Sequence, residues 1–286
     1  MTERKKAGLW ISLVCMLCAL TTAVGYLMSH GDQTYRLWLR ARSYDALRLE
    51  SVSLEGETVL WTEEMLASDE RVSFSNTMML INSSHPLPED FIPLLQEYNG
   101  ARMHPDMVAS YVALRDEVQR RTGIRIYVAS DYRTREEQET ILAESGGSIA
   151  AAIGCSEHEA GLALDVYAPY FAGESFLKSD AGRAVSELCA AYGFVIRYPL
   201  GKENVTGISY EPWHLRYVGA PHAALMSDAG LTLEEYLAFF EEGMFYRFGD
   251  FLISKQSMGA IFLPVDFQKC QILPDNAGNC LILLKK

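Results

Sequence analysis

The sequence predicts an α+β fold on three observations. A helical period over 105–122 runs directly into a period-two alternation over 124–129. Helix and strand signals come in clusters, without the strict βαβ alternation of a parallel sheet. The tail consists of short apolar runs broken by turn residues. The expected architecture is a small antiparallel sheet flanked by helices, preceded by an N-terminal transmembrane helix and followed by a small C-terminal β appendage.

The elements follow in order. Residues 1–6 carry Arg4, Lys5 and Lys6, and residues 7–28 are uncharged from Ala7 to Met28. At 1.5 Å per helical residue that run is long enough to cross a hydrocarbon core of about 30 Å. The basic flank favours the cytoplasm, which places the rest of the chain outside as a single-pass protein held in the lipid bilayer. Ala23-Val-Gly25 supports a competing reading as a cleaved signal peptide, and either reading exports the domain. Residues 29–77 are expected to be stalk and linker. They hold a charged helical stretch around Tyr35–Arg42 and β-like runs at Val59–Trp61 and Thr77–Ile81, and Pro86-Leu-Pro88 punctuates the chain just beyond.

The main domain is expected over 78–243. Met107, Tyr111, Leu114 and Val118 give one helix face, with Pro105 suited to the first turn and Gly123 to the C-cap. Ile124, Ile126 and Val128 alternate with Arg125, Tyr127 and Ala129 as a half-buried strand. Thr134-Arg-Glu-Glu137 and Thr232-Leu-Glu-Glu235 are capping boxes, the second opening a helix up to Gly243. A helix is predicted over 180–192, closed by Gly193, with strands at 194–198 and 213–218. In the appendage, 244–286, strands fall near 260–263, 270–273 and 281–284, with a turn at 275–278.

The balance of 25 basic and 37 acidic residues gives a formal charge of −12. That opposes any non-specific hold on phosphate backbones, so nucleic acid is excluded as a partner. Of six cysteines, Cys15 and Cys18 lie in the apolar segment. Cys155, Cys189, Cys270 and Cys280 are too scattered for a disulfide framework, and whether Cys270 and Cys280 pair is left open.

The chemistry concentrates in Ser156-Glu-His-Glu-Ala-Gly-Leu-Ala-Leu-Asp165 and Glu211-Pro-Trp-His214. Leu162, Leu164 and Val166 share one strand face, and Ala163, Asp165 and Tyr167 share the other. Asp165 is thus a fixed carboxylate beside small residues, with room for an ion above it. His158 lies in the preceding turn and folds back to the same point. Glu211 precedes proline and is biased to extended backbone, which re-aims His214 toward the ion while Glu211 lies over its open position. A lone histidine or aspartate is most often a surface residue. Two imidazoles and a carboxylate, with a second carboxylate at hand, instead match one Zn2+ ion with three protein ligands and a base. The bland alternative for Glu211 is a salt bridge to Arg216. His30, His85, His104 and His222 have no partner at ligand spacing and are expected at the surface.

The pattern Ser-x-His-x-x-Gly-x-Ala-x-Asp followed by Glu-Pro-Trp-His resembles the zinc D-alanyl-D-alanine carboxypeptidases of the VanY type, peptidase family M15. Gly207–Gly219 and Asn82–Phe91 extend the likeness, which covers residues 78–240. The resemblance implies a Hedgehog/DD-peptidase-like fold in the bacterial cell envelope and removal of the terminal D-alanine from peptidoglycan stem peptides. It also implies zinc ligands at His158, Asp165 and His214 and a catalytic base at Glu211. Arg133, within Ser130-Asp-Tyr-Arg133, falls where the family's arginine contacts the substrate, at the reacting carbonyl or the terminal carboxylate. Its bland reading is a surface charge at a helix start. Ser130, Ser156 and Gln138 are further substrate-binding candidates. An L,D-carboxypeptidase or endopeptidase keeps the same chemistry. A non-catalytic wall-binding sensor would be favoured by loss of a ligand or of Glu211, and none is lost.

Overall fold

The computed structural model describes residues 16, 21, 31–54, 56–144 and 151–286. The expected span 7–28 lies outside the described residues apart from Met16 and Thr21. Among the described residues no helix is long and apolar enough to cross a membrane.

The helices are α1 (Gly31–Ala41), α2 (Glu63–Ser68), α3 (Pro105–Thr122), α4 (Arg135–Glu144), α5 (Asp180–Leu188), α6 (Glu203–Thr206), α7 (Ala220–Ala229) and α8 (Leu233–Phe239). The strands begin with β1 (Glu50–Val52), β2 (Thr58–Trp61), β3 (Val72–Phe74), β4 (Gln96–Tyr98) and β5 (Ala101–Met103). Next come β6 (Tyr127–Ser130), β7 (Ala163–Tyr167), β8 (Phe194–Ile196) and β9 (His214–Tyr217). The last are β10 (Phe245–Phe248), β11 (Phe251–Ser257), β12 (Ile261–Pro264), β13 (Lys269–Pro274) and β14 (Asn279–Lys285).

The first lobe is an antiparallel sheet in the order β6-β7-β9-β8. Its inner face, with Leu164, Val166 and Leu215, packs on Met107, Tyr111, Leu114 and Val118 of α3 and on Ala181, Ala184 and Val185 of α5. The predicted signals operate here as physics. Pro105 opens α3 and Gly123 closes it at φ 74°, a left-handed conformation that costs glycine nothing. The Thr134–Glu137 box closes reciprocally, with Thr134 N–H donating to Glu137 Oε2 at 2.8 Å and Glu137 N–H to Thr134 Oγ1 at 3.2 Å. The helix from 180 tightens into a 3-10 turn over Cys189–Tyr192 before Gly193 ends it.

The second lobe corrects the expected division of the chain. Its six-stranded sheet runs β1-β10-β11-β14-β13-β3, and β2 pairs with β12. Residues 29–77 are therefore not a free stalk and linker: β1, β2 and β3 are built into the same lobe as residues 245–285. α1 also rests on the first lobe, where the Arg36 guanidinium sits 5.3 Å from the ring centre of Tyr210. β14 explains the run Cys280–Leu284. Leu281 and Leu283 face the helices α7 and α8, while Cys280, Ile282 and Leu284 face the opposite core under β2 and β12. A strand covered on both sides is apolar throughout and shows no alternation. The predicted β-like run 77–81 is instead a 3-10 turn, Asn76–Met78, followed by irregular chain. The helix predicted to reach Gly243 stops at Phe239.

Candidate metal centre

Sheet register assembles the centre. Ser130 on β6 lies opposite Asp165 on β7, and Asp165 lies opposite His214 on β9. Directly paired residues share a face, so this row projects away from the apolar core. His158 comes from the 3-10 turn Glu157–Ala160, which Gly161 closes at φ 66°. This chain reversal brings the ring back over β7. His158 Nε2 is 3.3 Å from Asp165 Oδ2 and His214 Nδ1 is 3.1 Å from Asp165 Oδ1. One ligand atom from each of the three lies within 4.8 Å of the others.

Each imidazole is aimed by its far nitrogen. His158 Nδ1 donates to the Asp131 carbonyl at 2.7 Å, leaving Nε2 as the lone-pair nitrogen. His214 Nε2 lies 3.4 Å from Glu157 Oε2, so its lone pair is on Nδ1. Fixing the tautomer through the outer nitrogen is how metal-binding histidines are held. Asp165 Oδ1 is buried with no hydrogen-bond partner among the described residues, an arrangement that is costly unless a cation completes it. Burial opposes charge on His214, yet Asp165 and Glu157 outweigh it and push its pKa up to about 9. The same field that favours an imidazolium favours a divalent ion. Two nitrogens, one carboxylate oxygen and an exposed fourth side fit zinc.

Glu157 was not singled out in the sequence. It is fully buried, with Arg197 Nε at 2.6 Å and one Arg216 guanidinium nitrogen at 2.5 Å from its Oε1. Burial opposes its ionisation, but the charges of Arg216 and Arg197 hold it well below the usual carboxylate range. The arginines are tied down in turn, Arg197 to Glu234 and Arg216 to the Thr77 and Met79 carbonyls. Arg216 is thus engaged by Glu157, and Glu211 is left to face the centre, 3.8 Å from His214 Nδ1. Burial raises the Glu211 pKa, against the pull of His214 and with the help of the Asp165 charge.

Arg133 also reaches the centre, 3.2 Å from Asp165 Oδ2. Its Nε and one terminal nitrogen both donate to Ser130 Oγ, at 3.0 and 2.8 Å, and its other terminal nitrogen approaches Gln138 Oε1 at 3.4 Å. Gln138 is 1% exposed and donates to the Ala151 carbonyl at 2.7 Å. Ser130 and Gln138 are therefore brought to the site, where both contact Arg133. Ser156, Ile141, Tyr198, Ile208 and Trp213 line the cavity over the ligands. His104 and His222 are corrections to the expected surface placement. Both are buried: His104 caps α3, and His222 Nδ1 meets the Tyr236 hydroxyl at 2.8 Å. His85 is half-buried with its ring against Asn82, and His30 lies outside the described residues. Cys155, Cys189, Cys270 and Cys280 are all unpaired.

The fold and this ligand set define a zinc peptidase. Residues 100–220 match the family model described as VanY, D-alanyl-D-alanine carboxypeptidase. A D-alanyl-D-alanine carboxypeptidase of Enterococcus faecium is 31% identical over 201 residues, 63% of this chain and 63% of that protein. The chain therefore matches less than two thirds of that relative's length. The bifunctional D-Ala-D-Ala dipeptidase and D-Ala-D-Ala carboxypeptidase VanXYC of Enterococcus gallinarum is 35% identical over 181 residues, 56% of this chain and 93% of that one. The solved vancomycin-resistance D,D-pentapeptidase VanY from a VanB-type cassette, in complex with Zn(II), superposes with a TM-score of 0.51 at 32% identity. That superposition covers 57% of this chain and 99% of the other. The chain belongs to the VanY D-alanyl-D-alanine carboxypeptidase family.

Proposed function

We propose that this chain removes the C-terminal D-alanine from peptidoglycan stem peptides, working outside the bacterial cell membrane with residues 7–28 as its anchor. The observation that carries the reading is the convergence of His158, Asp165 and His214 with Glu211 on one side and Arg133 on another. The uncharged run 7–28 behind Arg4–Lys6 supports the placement, and the acidic charge gives the domain no hold of its own on anionic wall polymers.

Bound zinc supplies Lewis acidity, polarising the scissile carbonyl and bringing the pKa of a water to about 7. Glu211 accepts the proton of the attacking water as its oxygen bonds to the carbonyl carbon. It then hands that proton to the amine as the C–N bond breaks, so the base is regenerated. A carboxylate lifted by burial suits both halves of that exchange. Arg133, held by Ser130 and Gln138 beside Asp165, sits at the reacting centre and steadies the negative charge that develops on the carbonyl oxygen. His158, Asp165 and His214 hold the ion, with Glu157 and the Asp131 carbonyl orienting the two rings.

The test is D-alanine release from stem pentapeptide and tetrapeptide, followed by mass, for zinc-loaded protein and for Glu211→Gln. We expect release from the pentapeptide, abolished by a chelator and reduced at least about 10²-fold in Glu211→Gln at unchanged zinc content. Release from the tetrapeptide alone would convert the reading to an L,D-carboxypeptidase. Undiminished release by Glu211→Gln would remove the assigned base, and binding of stem peptide without cleavage by the wild type would replace the enzyme with a sensor.

A further inference from the structure

The catalytic face of the four-stranded sheet continues past the metal row. Tyr127 and Tyr167 lie opposite each other next along β6 and β7, with ring centres 5.6 Å apart. By strand alternation Tyr167 shares the face of Asp165, and its partner Tyr127 shares it too. Tyr127 is 42% exposed. Beyond this pair a groove follows the outer edge of β6, the edge strand of its sheet. The tip of the β4–β5 hairpin, with Tyr98, Asn99 and Gly100, forms its far wall, and the groove reaches Ser130 and Asp131. Ser130, at the end of this groove, also accepts hydrogen bonds from Arg133, so the groove ends beside the residues of the metal row.

Two guanidiniums line it. Arg115 is engaged by Asp116 and by the Tyr98 hydroxyl at 2.9 Å. Arg125 is different: its Nε is buried with no hydrogen-bond partner among the described residues, and its guanidinium carbon lies 5.7 Å from the ring centre of Tyr127. A buried charged donor without an acceptor is costly. Among the described residues no acidic side chain supplies a hydrogen bond to that atom. On the other flank of the metal row, beyond His214, the cavity is walled by Tyr198, Ile208 and Trp213. A carboxypeptidase has a single residue on one side of the scissile bond and a long chain on the other, so the open groove fits only the long side.

Resting on the function proposed above, we propose that this groove is the subsite for the upstream part of the substrate. It takes an extended peptide bearing a carboxylate, which Arg125 receives. The tyrosine pair supplies a flat apolar floor, and the unpaired edge of β6 offers backbone groups to an extended chain.

The test uses equilibrium binding to the full-length, zinc-loaded Glu211→Gln protein, with two peptides that differ by one charge. These are L-alanyl-D-isoglutamyl-L-lysyl-D-alanyl-D-alanine and its isoglutaminyl amide. We expect the acid to bind more tightly than the amide. Adding Arg125→Gln should weaken the acid about tenfold, the size of one charge-assisted hydrogen bond, and leave the amide and D-alanyl-D-alanine unchanged. Arg125→Lys, which keeps the charge, should retain most of the preference, separating recognition from a damaged fold. Equal loss for acid and amide, or no loss for either, overturns the proposal. So does binding that follows a muramyl sugar and ignores the peptide's charge. If D-alanyl-D-alanine binds and the longer acid gains nothing, this subsite falls and the proposed function stands. If no peptide ending in D-alanine binds, both fall.

Discussion

Both lobes bury an apolar core, but the first adds a buried network of paired charges. The four-stranded sheet of the first lobe carries, at its catalytic row, a fully buried network of Glu157, Arg197 and Arg216 around His214. The six-stranded sheet of the second lobe is buried between two apolar layers, and its interior is mainly Leu, Ile, Phe and Cys. Apolar packing stabilises without aiming anything, because dispersion and area burial have no direction. Hydrogen-bonded charges stabilise little in net terms, since desolvation offsets their attraction, but they fix a ring to one rotation and one tautomer. The first lobe therefore carries orientation and the second carries packing, and substitutions separate the two.

The largest effect is expected at Glu157. Glu157→Gln leaves Arg197 and Arg216 buried against a neutral amide and lets His214 choose its tautomer. Removing one partner from a buried charge network costs about 3–5 kcal/mol. Loss of the group behind a metal-binding histidine weakens the metal about 10–100-fold. Urea unfolding and chelator competition should show both losses together. Unchanged zinc affinity in a destabilised variant would mean that Glu157 only packs.

A smaller effect is expected where the lobes meet. His222 on α7 is 1% exposed, and its Nε2 has no hydrogen-bond partner among the described residues. Burial pushes its pKa down from 6.5 to about 4. The unfolded chain takes up a proton below 6.5, while the folded chain resists until about 4. The contribution is therefore complete above pH 6.5 and is lost as the pH falls through that window, to an extent of about 3 kcal/mol. His222→Phe removes the titrating group, so the fall in stability between pH 7 and pH 4.5 should shrink by about that amount in urea titrations. An equal fall in both proteins would assign the acid sensitivity elsewhere.

The same division governs how much was legible in the sequence. The metal row was readable because its residues sit at fixed spacings in two short motifs, and a strand with Asp165 on its polar face leaves few ways to arrange them. α3, the Thr134 and Thr232 boxes and β7 were readable because their signals are local. Glu157 was not. Two glutamates flank His158, and nothing local distinguishes the one that meets Arg197 and Arg216, which lie 40 and 59 residues away. β1 and β3 were invisible for a related reason: each is three residues long and exists only because β10 and β13 offer it an edge. The buried histidines were misplaced because a lone histidine has no period, and its partners, Tyr236 and the start of α3, are set by packing.

The smallest effect probes the second lobe alone. Ile282 lies on β14 with its side chain in the core under β2 and β12, fully buried among Leu252, Ile272 and Leu284. Ile282→Val deletes one methylene and leaves a space that neighbours fill only in part, which costs about 1 kcal/mol. The network around Glu157 lies in the other lobe, with hydrogen bonds that reach His214, Glu234, Thr77 and Met79 and not Ile282, so the two substitutions should add. Denaturant midpoints should therefore fall for Ile282→Val while zinc affinity and D-alanine release per folded molecule stay at the wild-type level. A loss of zinc affinity in Ile282→Val would show that the packing of the second lobe also aims the metal ligands, and the contrast between the lobes would fail.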